Sequence, residues 1–415
     1  MNKGIIGAVG SLLLFATGLF AQPTARLEPP LIGAASRPEY LAQPVVQFDQ
    51  GHQTAHESCA SVWGSAEFLL WRFKSAPVNS PLITVNDNPA TIAALNEPGT
   101  RIVFGAGSPE STNLDWFNGM RFTLGTWVDY DQVFGIEGSG FMTERRSLIY
   151  HNASAGGANP VVAIPVNSIV PFGINPAGET SQNSVGNPNR ISAHLNAHLW
   201  GAEANGLVNL RRSGRAEVNA LIGFRYLDLV ENLSLSDTIE LGAPGSFVYI
   251  NDGFATRNQF YGGQIGARSA FTHGRWQLDA VAKIAFGTVH QVMNLTGESN
   301  VIVGGTPTFT TPQGTFVQST NQGRYTRDVF AVVPEVTLNL GYQLTPGIRP
   351  FFGYNWMYLS NAVRPGNQID RNINPTQNPV LVPPGTLTGP AAPLANFRSG
   401  DFWAQGFNLG LEIRY

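Results

Sequence analysis

The chain has 415 residues, of which 13% are charged, with 46 glycines and a formal net charge of −3. So small a charge, with no basic run, offers nucleic acid no electrostatic footprint, and a single cysteine, Cys59, excludes an intrachain disulfide. Beyond residue 21 no stretch is apolar and long enough to span a membrane as a helix, so a membrane-embedded chain of this kind has to be a closed barrel.

Residues 1–21 read as a signal peptide. Lys3 supplies the positive start, Ile5 to Phe20 the apolar core, and Ala21 a cleavage site, with cleavage after Gly18 as the alternative. Residues 22–60 are rich in Pro, Ala and Gln and carry no apolar period, so they read as a flexible N-terminal segment in the periplasm. Residues 61–415 form the barrel region.

Alternation of apolar and polar residues marks a strand with one apolar face. It predicts strands at Val62 to Lys74, Gly119 to Tyr130, Phe134 to Met142 and from about Ile191. Further strands follow at Ala216 to Leu229, Arg257 to Phe271, Trp276 to Gly287, Tyr325 to Gln343, Arg349 to Ser360 and Asp401 to Tyr415. Between them, short polar turns alternate with long segments at about 75–118, 143–190, 231–255, 292–323 and 363–399. Outer-membrane barrels sort their connections in this way, with short periplasmic turns and long extracellular loops. The fold class is therefore all-β, an antiparallel transmembrane β-barrel of about ten strands.

The last strand shows the pattern best. Phe407, Leu409, Leu411, Ile413 and Tyr415 share one face, and Gly406, Asn408, Gly410, Glu412 and Arg414 the other. Along the chain the charges keep to one face: Arg121 and Asp129, Glu217 and Arg225, Asp279 and Lys283, Glu335, Glu412 and Arg414. If the apolar face meets lipid, these nine are candidate lumen-lining residues, since a charge at mid-bilayer costs about 2–4 kcal/mol. The stretch Val363 to Asn374 adds Arg364, Asp370 and Arg371, read as an ion-pair lock that folds its loop over the barrel mouth, or else as a surface contact.

Several stretches resemble the beta-barrel porin family type 7, a group of planctomycete-type outer-membrane beta-barrel proteins. They are AEFLLWRFK (66–74), GMRFTLGTWVD (119–129), LIGFRYLDLVENL (221–233), RNQFYGGQIG (257–266), RDVFAVVPEVTLNLGYQLT (327–345), GYNWMYLSNAVRPGNQIDRNIN (353–374) and the final fifteen residues. The resemblance implies an outer-membrane barrel and no particular substrate. The alternating, aromatic-ended C-terminal strand is also similar to the assembly signal of bacterial outer-membrane barrels, with Phe407, Leu409, Leu411, Ile413 and Tyr415 as the signal face.

Site chemistry is sparse. His194 and His198 would stand about 13 Å apart along a strand, too far to share an ion, and read as polar filling of the lumen. Gly262, Gly263 and Gly266 lack the β/α surroundings of a nucleotide loop, and no G-x-S-x-G elbow occurs. No cofactor, metal or catalytic role is expected. The expected partners are outer-membrane lipid and the barrel-assembly machinery, with no nucleic acid, and the oligomeric state is left open. The expected place is the bacterial outer membrane. The expected function is porin-like passage of small solutes or a structural envelope role; the alternative is a surface-binding or adhesive barrel acting through its long loops.

Overall fold

The computed structural model describes residues 62–108, 112–155, 160–171, 176–182, 187–378 and 388–415. The expected signal segment, the N-terminal segment 22–60 and Cys59 lie outside them.

Ten antiparallel strands close a ring: β1 (Val62–Phe73), β2 (Trp116–Trp127), β3 (Phe134–Thr143), β4 (Pro188–Arg212), β5 (Ala216–Glu240), β6 (Phe247–His273), β7 (Trp276–Val303), β8 (Gly323–Tyr342), β9 (Ile348–Val363) and β10 (Ser399–Arg414). Each pairs with its sequence neighbour, and β1 pairs with β10 with Phe68 opposite Leu409. The seam ends in two backbone bonds, Val62 N–H to Tyr415 O at 3.0 Å and Tyr415 N–H to Val62 O at 2.8 Å. Closure leaves no open edge in lipid.

The strand count exceeds the ten anticipated. Seventeen strands occur among the described residues. The barrel sheet has twelve, because Arg146–Ala155 adds to β4 and Thr306–Thr311 to β7 outside the ring. A second, five-stranded sheet is built entirely from connections. It joins Pro81–Asn86 and Arg101–Gly105 to Val161–Ser168, which pairs in turn with Gly178–Gln182 and Asn372–Ile373.

Side chains follow the pleat. On β7 the outward residues Trp276, Leu278, Ala280, Ala282, Ile284 and Phe286 are followed by Thr288 and His290. The apolar run covers about 33 Å of strand at roughly 3.3 Å per residue, which a tilt of about 40° reduces to the ~25 Å of a lipid-facing band. On β8 the same border falls between Phe330 and Asp328, and on β5 between Tyr226 and Asp228. Aromatic pairs occur near both borders, Trp200 with Tyr226 at 4.9 Å and Trp276 with Tyr342 at 5.0 Å between ring centres, as interfacial girdles require.

Strands β4 to β7 have 25, 25, 27 and 28 residues, whereas spanning a bilayer takes about 9–11. The surplus stands above the membrane, and it corrects the loop expected at 231–255. There β5 and β6 continue in register to Glu240 opposite Phe247. The segment expected as a loop at 292–323 likewise carries the end of β7 and the hairpin strand Thr306–Thr311. Above the band the outward face meets water, so Asn, Ser and Thr belong there. Leu233, Leu235 and Ile239 point inward and are buried. The same inversion overturns the reading of His194 and His198. Their partners Leu195, Ala197 and Leu199 fill the interior, and the histidines face out.

Candidate functional site in the barrel lumen

The lumen has two storeys. In the periplasmic half a cavity of about 370 Å³ is lined by seven acids and seven bases. The acids are Glu67, Glu137, Glu203, Glu217, Asp279, Glu335 and Glu412; the bases are Arg121, Arg212, Arg225, Arg268, Lys283, Arg349 and Arg414. The space suits on the order of ten waters at about 30 Å³ each.

Every one of these charges is paired. At the centre Arg225 binds Glu203, with Nε to Oε2 at 3.1 Å, and Glu335. Lys283 reaches Glu203 at 2.6 Å and Glu335 at 3.7 Å. Arg121 sits 3.6 Å from Glu335 and 3.8 Å from Glu67. Nearer the periplasm Arg268 pairs with Glu137 at 2.6 Å, and Arg349 with Glu412 at 2.8 Å and with Asp279. Arg414 binds Glu412, and Arg212 lies 3.2 Å from Glu217. Amides complete the lattice: Asn355 Nδ2 donates to Asn408 Oδ1 at 2.8 Å, and Asn408 Nδ2 to Glu67 Oε2 at 2.7 Å. A network with equal numbers of each sign and all members engaged offers a passing ion no net attraction.

Above this layer the lumen turns apolar. Leu69 and Trp71 of β1, Phe117 of β2, Leu199 of β4, Leu229 of β5 and Phe260 of β6 belong to one buried cluster with Ala285, Val333, Met357 and Ala404 from β7 to β10. Phe141 of β3 packs against it. All ten strands thus contribute to a plug. Trp71 and Phe117 retain 2% and 0% of their accessible surface.

The connections close the barrel further. Arg364 leaves β9 and is buried against Glu231 of β5 through two bonds, Nη2 to Oε1 at 2.7 Å and Nε to Oε2. It also donates to Lys74 O at 3.2 Å. Asn258 and Val363 exchange hydrogen bonds at 2.9 and 2.7 Å. Arg371 pairs with Glu179 at 2.6 Å, joining the connections after β3 and β9. The lock expected within Val363–Asn374 is therefore built differently. Its arginines reach partners on other elements, while Asp370 accepts from the backbone N–H groups of Asn372 at 3.1 Å and Leu394 at 3.0 Å. Asp370 is taken up by those backbone donors, and the arginines pair instead with Glu231 and Glu179.

Of the nine charges singled out from the sequence, eight line the cavity: Arg121, Glu217, Arg225, Asp279, Lys283, Glu335, Glu412 and Arg414. Asp129 does not. It stands half-buried in the turn after β2 and accepts from the backbone N–H groups of Val133 at 2.9 Å and Phe134 at 2.7 Å. The bond from Val133, first among its influences, helps to hold its carboxyl below the usual range. Glu67, Glu137, Glu203, Arg212, Arg268 and Arg349 also line the cavity and were missed. Arg349 and Arg268 were within reach, since each is an even number of residues from an inward neighbour, Phe351 and Gln264. The residues Phe407, Leu409, Leu411 and Ile413 are exposed on the outside of β10, and Tyr415 is exposed just past its end.

Charges and amides inside, an apolar band outside and a closed ring between them define an outer-membrane β-barrel. The chain belongs to the family described as putative beta barrel porin-7, whose model matches residues 63–415. Among solved structures it is similar to the outer membrane protease OmpT of Escherichia coli, with 10% identity over 86% of this chain and 97% of that one and a TM-score of 0.41. It is also similar to a Pseudomonas aeruginosa FadL homologue, with 7% identity over 86% and 89% and a TM-score of 0.19. The P. putida toluene transporter TodX gives 8% identity over 86% and 90%, with a TM-score of 0.18. No curated protein matches the chain.

Proposed function

We propose that the protein is a sealed barrel of the bacterial outer membrane with a structural role in the envelope, and that it does not conduct solutes in the state described here. The observation that carries this reading is the apolar plug to which all ten strands contribute, lying directly above a charge lattice in which every member is engaged. A porin needs a continuous polar path, and the packed layer around Trp71 and Phe117 interrupts it. The reading gives the chain no catalytic role, because the seven carboxylates lining the cavity are committed to ion pairs. In assembly the outer face of β10, from Phe407 to Tyr415, serves as the signal for the insertion machinery.

A second reading, surface binding, is favoured by one feature. Strands β4 to β7 carry a lobe well above the lipid band, stiffened by the five-stranded sheet. A rigid surface loses little entropy when it meets a partner.

The test is single-channel recording of refolded protein in a planar bilayer, beside a gel showing that the barrel shifts on heating. Folded protein without discrete current steps is expected. Stable steps from folded wild-type protein would overturn the sealed reading.

A further inference from the structure

The outer wall of the barrel carries one group that neither the band nor the lumen explains. Asp228 points away from the lumen by the alternation of β5, yet it is 1% exposed. Its oxygens accept from Arg257 Nε at 3.0 Å and Nη2 at 2.6 Å, from Trp200 Nε1 at 3.1 Å and from Tyr226 OH at 3.2 Å. A carboxylate so fully engaged is a mount, and what it mounts is the Arg257 guanidinium. Arg257 remains about half exposed, with its side chain at 48%, and Nη1 takes no part in these bonds.

The place of this arginine is defined by register. Across β4, β5 and β6, Ala202, Tyr226 and Tyr261 form one row, Trp200, Asp228 and Gln259 the next, and His198, Val230 and Arg257 the row above. The aromatic border of the lipid band thus lies directly beneath Arg257, with Tyr226 5.0 Å from Tyr261 between ring centres. A second cation, Arg145, is exposed and close enough to act electrostatically on His198 in the same row. Glu144 and Arg146, paired at 3.4 Å, flank Arg145, so the surrounding charge is mixed and Arg257 is set apart by its fixed orientation and exposure.

We propose that Arg257, aimed by Asp228, holds the phosphate of a lipid in the outer leaflet, with Trp200, Tyr226 and Tyr261 packing against the acyl chains below. Three observations converge on a lipid. A planar guanidinium with a free edge suits phosphate oxygens. It stands at the height where headgroups begin, and aromatic rings amphipathic enough for that boundary lie under it. Cations at the membrane surface gain from anionic headgroups, and one fixed in orientation also gains geometric selectivity.

The experiment is native mass spectrometry of the refolded full barrel released from detergent micelles. The micelles are doped with phosphatidic acid, with diacylglycerol of the same chains, or with inorganic phosphate. Retention of one phosphatidic acid and no diacylglycerol is expected for wild type and for Arg324→Ala, which removes an exposed arginine of β8. Arg257→Ala should retain about tenfold less, as loss of a charged hydrogen bond implies, and Arg257→Lys should fall between, keeping the charge without the fork. Each variant is first shown to be folded by its heat-dependent gel shift. Should Arg257→Ala fail to fold, Asp228→Asn, which keeps the shape of the mount, carries the comparison and should also lower retention. Equal retention by wild type and variant, retention of diacylglycerol, or no adduct on wild type would overturn the proposal. Displacement of the lipid by excess inorganic phosphate would replace it with a free-anion site and overturn the lipid assignment.

Discussion

The Arg121 guanidinium lies 5.4 Å from the centre of the Trp71 ring and 5.7 Å from that of Phe141. This contact is where the charged storey of the lumen ends and the apolar plug begins. Arg121 faces Glu67 and Glu335 on one side and two aromatic rings on the other, so one residue serves both layers.

Trp71→Ala should therefore act twice. Removing a large buried aromatic costs about 3–5 kcal/mol, which a lower heat-shift temperature on gels would register. It should also thin the plug, so that the variant shows discrete current steps in planar bilayers where wild type shows none.

The Arg364–Glu231 pair gives a second prediction. Both side chains are 1% exposed, and truncating one partner strands the other without compensation, at a cost of about 3–5 kcal/mol. Arg364→Ala should loosen the segment 364–378 and expose it to protease while the barrel stays folded. Asp370→Ala loses only an acceptor for two backbone N–H groups and should cost less, about 1–3 kcal/mol.

Outward residues should be sensitive in the opposite sense. Leu338 is 46% exposed on β8, midway along the apolar band. Leu338→Arg places a charge in hydrocarbon and should destabilise the inserted barrel by about 2–4 kcal/mol. Urea titration in lipid vesicles measures this. An outward residue of the lobe, Ser234→Arg, should show no comparable loss.

The lobe should also respond to pH. Burial pushes the Asp237 carboxyl up from an ordinary 3.8 to about 7, against the lowering influence of Gln182 and Asn189. Between these two values the folded lobe binds a proton that the unfolded chain has lost, so stability falls as pH rises from about 4 towards 7. Hydrogen exchange of β5 above Glu231 should quicken over that range, and Asp237→Asn should flatten the dependence.

Much of the barrel was legible because lipid enforces alternation. From Phe407 to Tyr415, and from Trp276 to Phe286, each outward residue must be apolar while each inward one is free to be charged. The code fades where the plug begins. In Phe68, Leu69, Leu70 and Trp71 both faces are apolar, one for lipid and one for the seal, so Glu67 just before them lost its register mark. It reverses above the membrane, where Leu195, Ala197 and Leu199 turn inward and the polar face meets water. Glu203 was obscured for a different reason. Its outward neighbours Ala202 and Ala204 are too small to announce a lipid-facing row. The pairing of Arg364 with Glu231 spans 133 residues, and no local spacing encodes it.

The seam between Val62 and Tyr415 also has a meaning in time. It joins the first described strand to the last, so its pairing closes the longest loop among the described residues. The entropy of that closure has to be met before the seam's hydrogen bonds can compensate it. Until then two sheet edges, β1 and β10, are open together. A chain cut short before β10 does not become a nine-stranded barrel with one strand missing; it remains a curled sheet with two sticky borders, dependent on whatever escorts it.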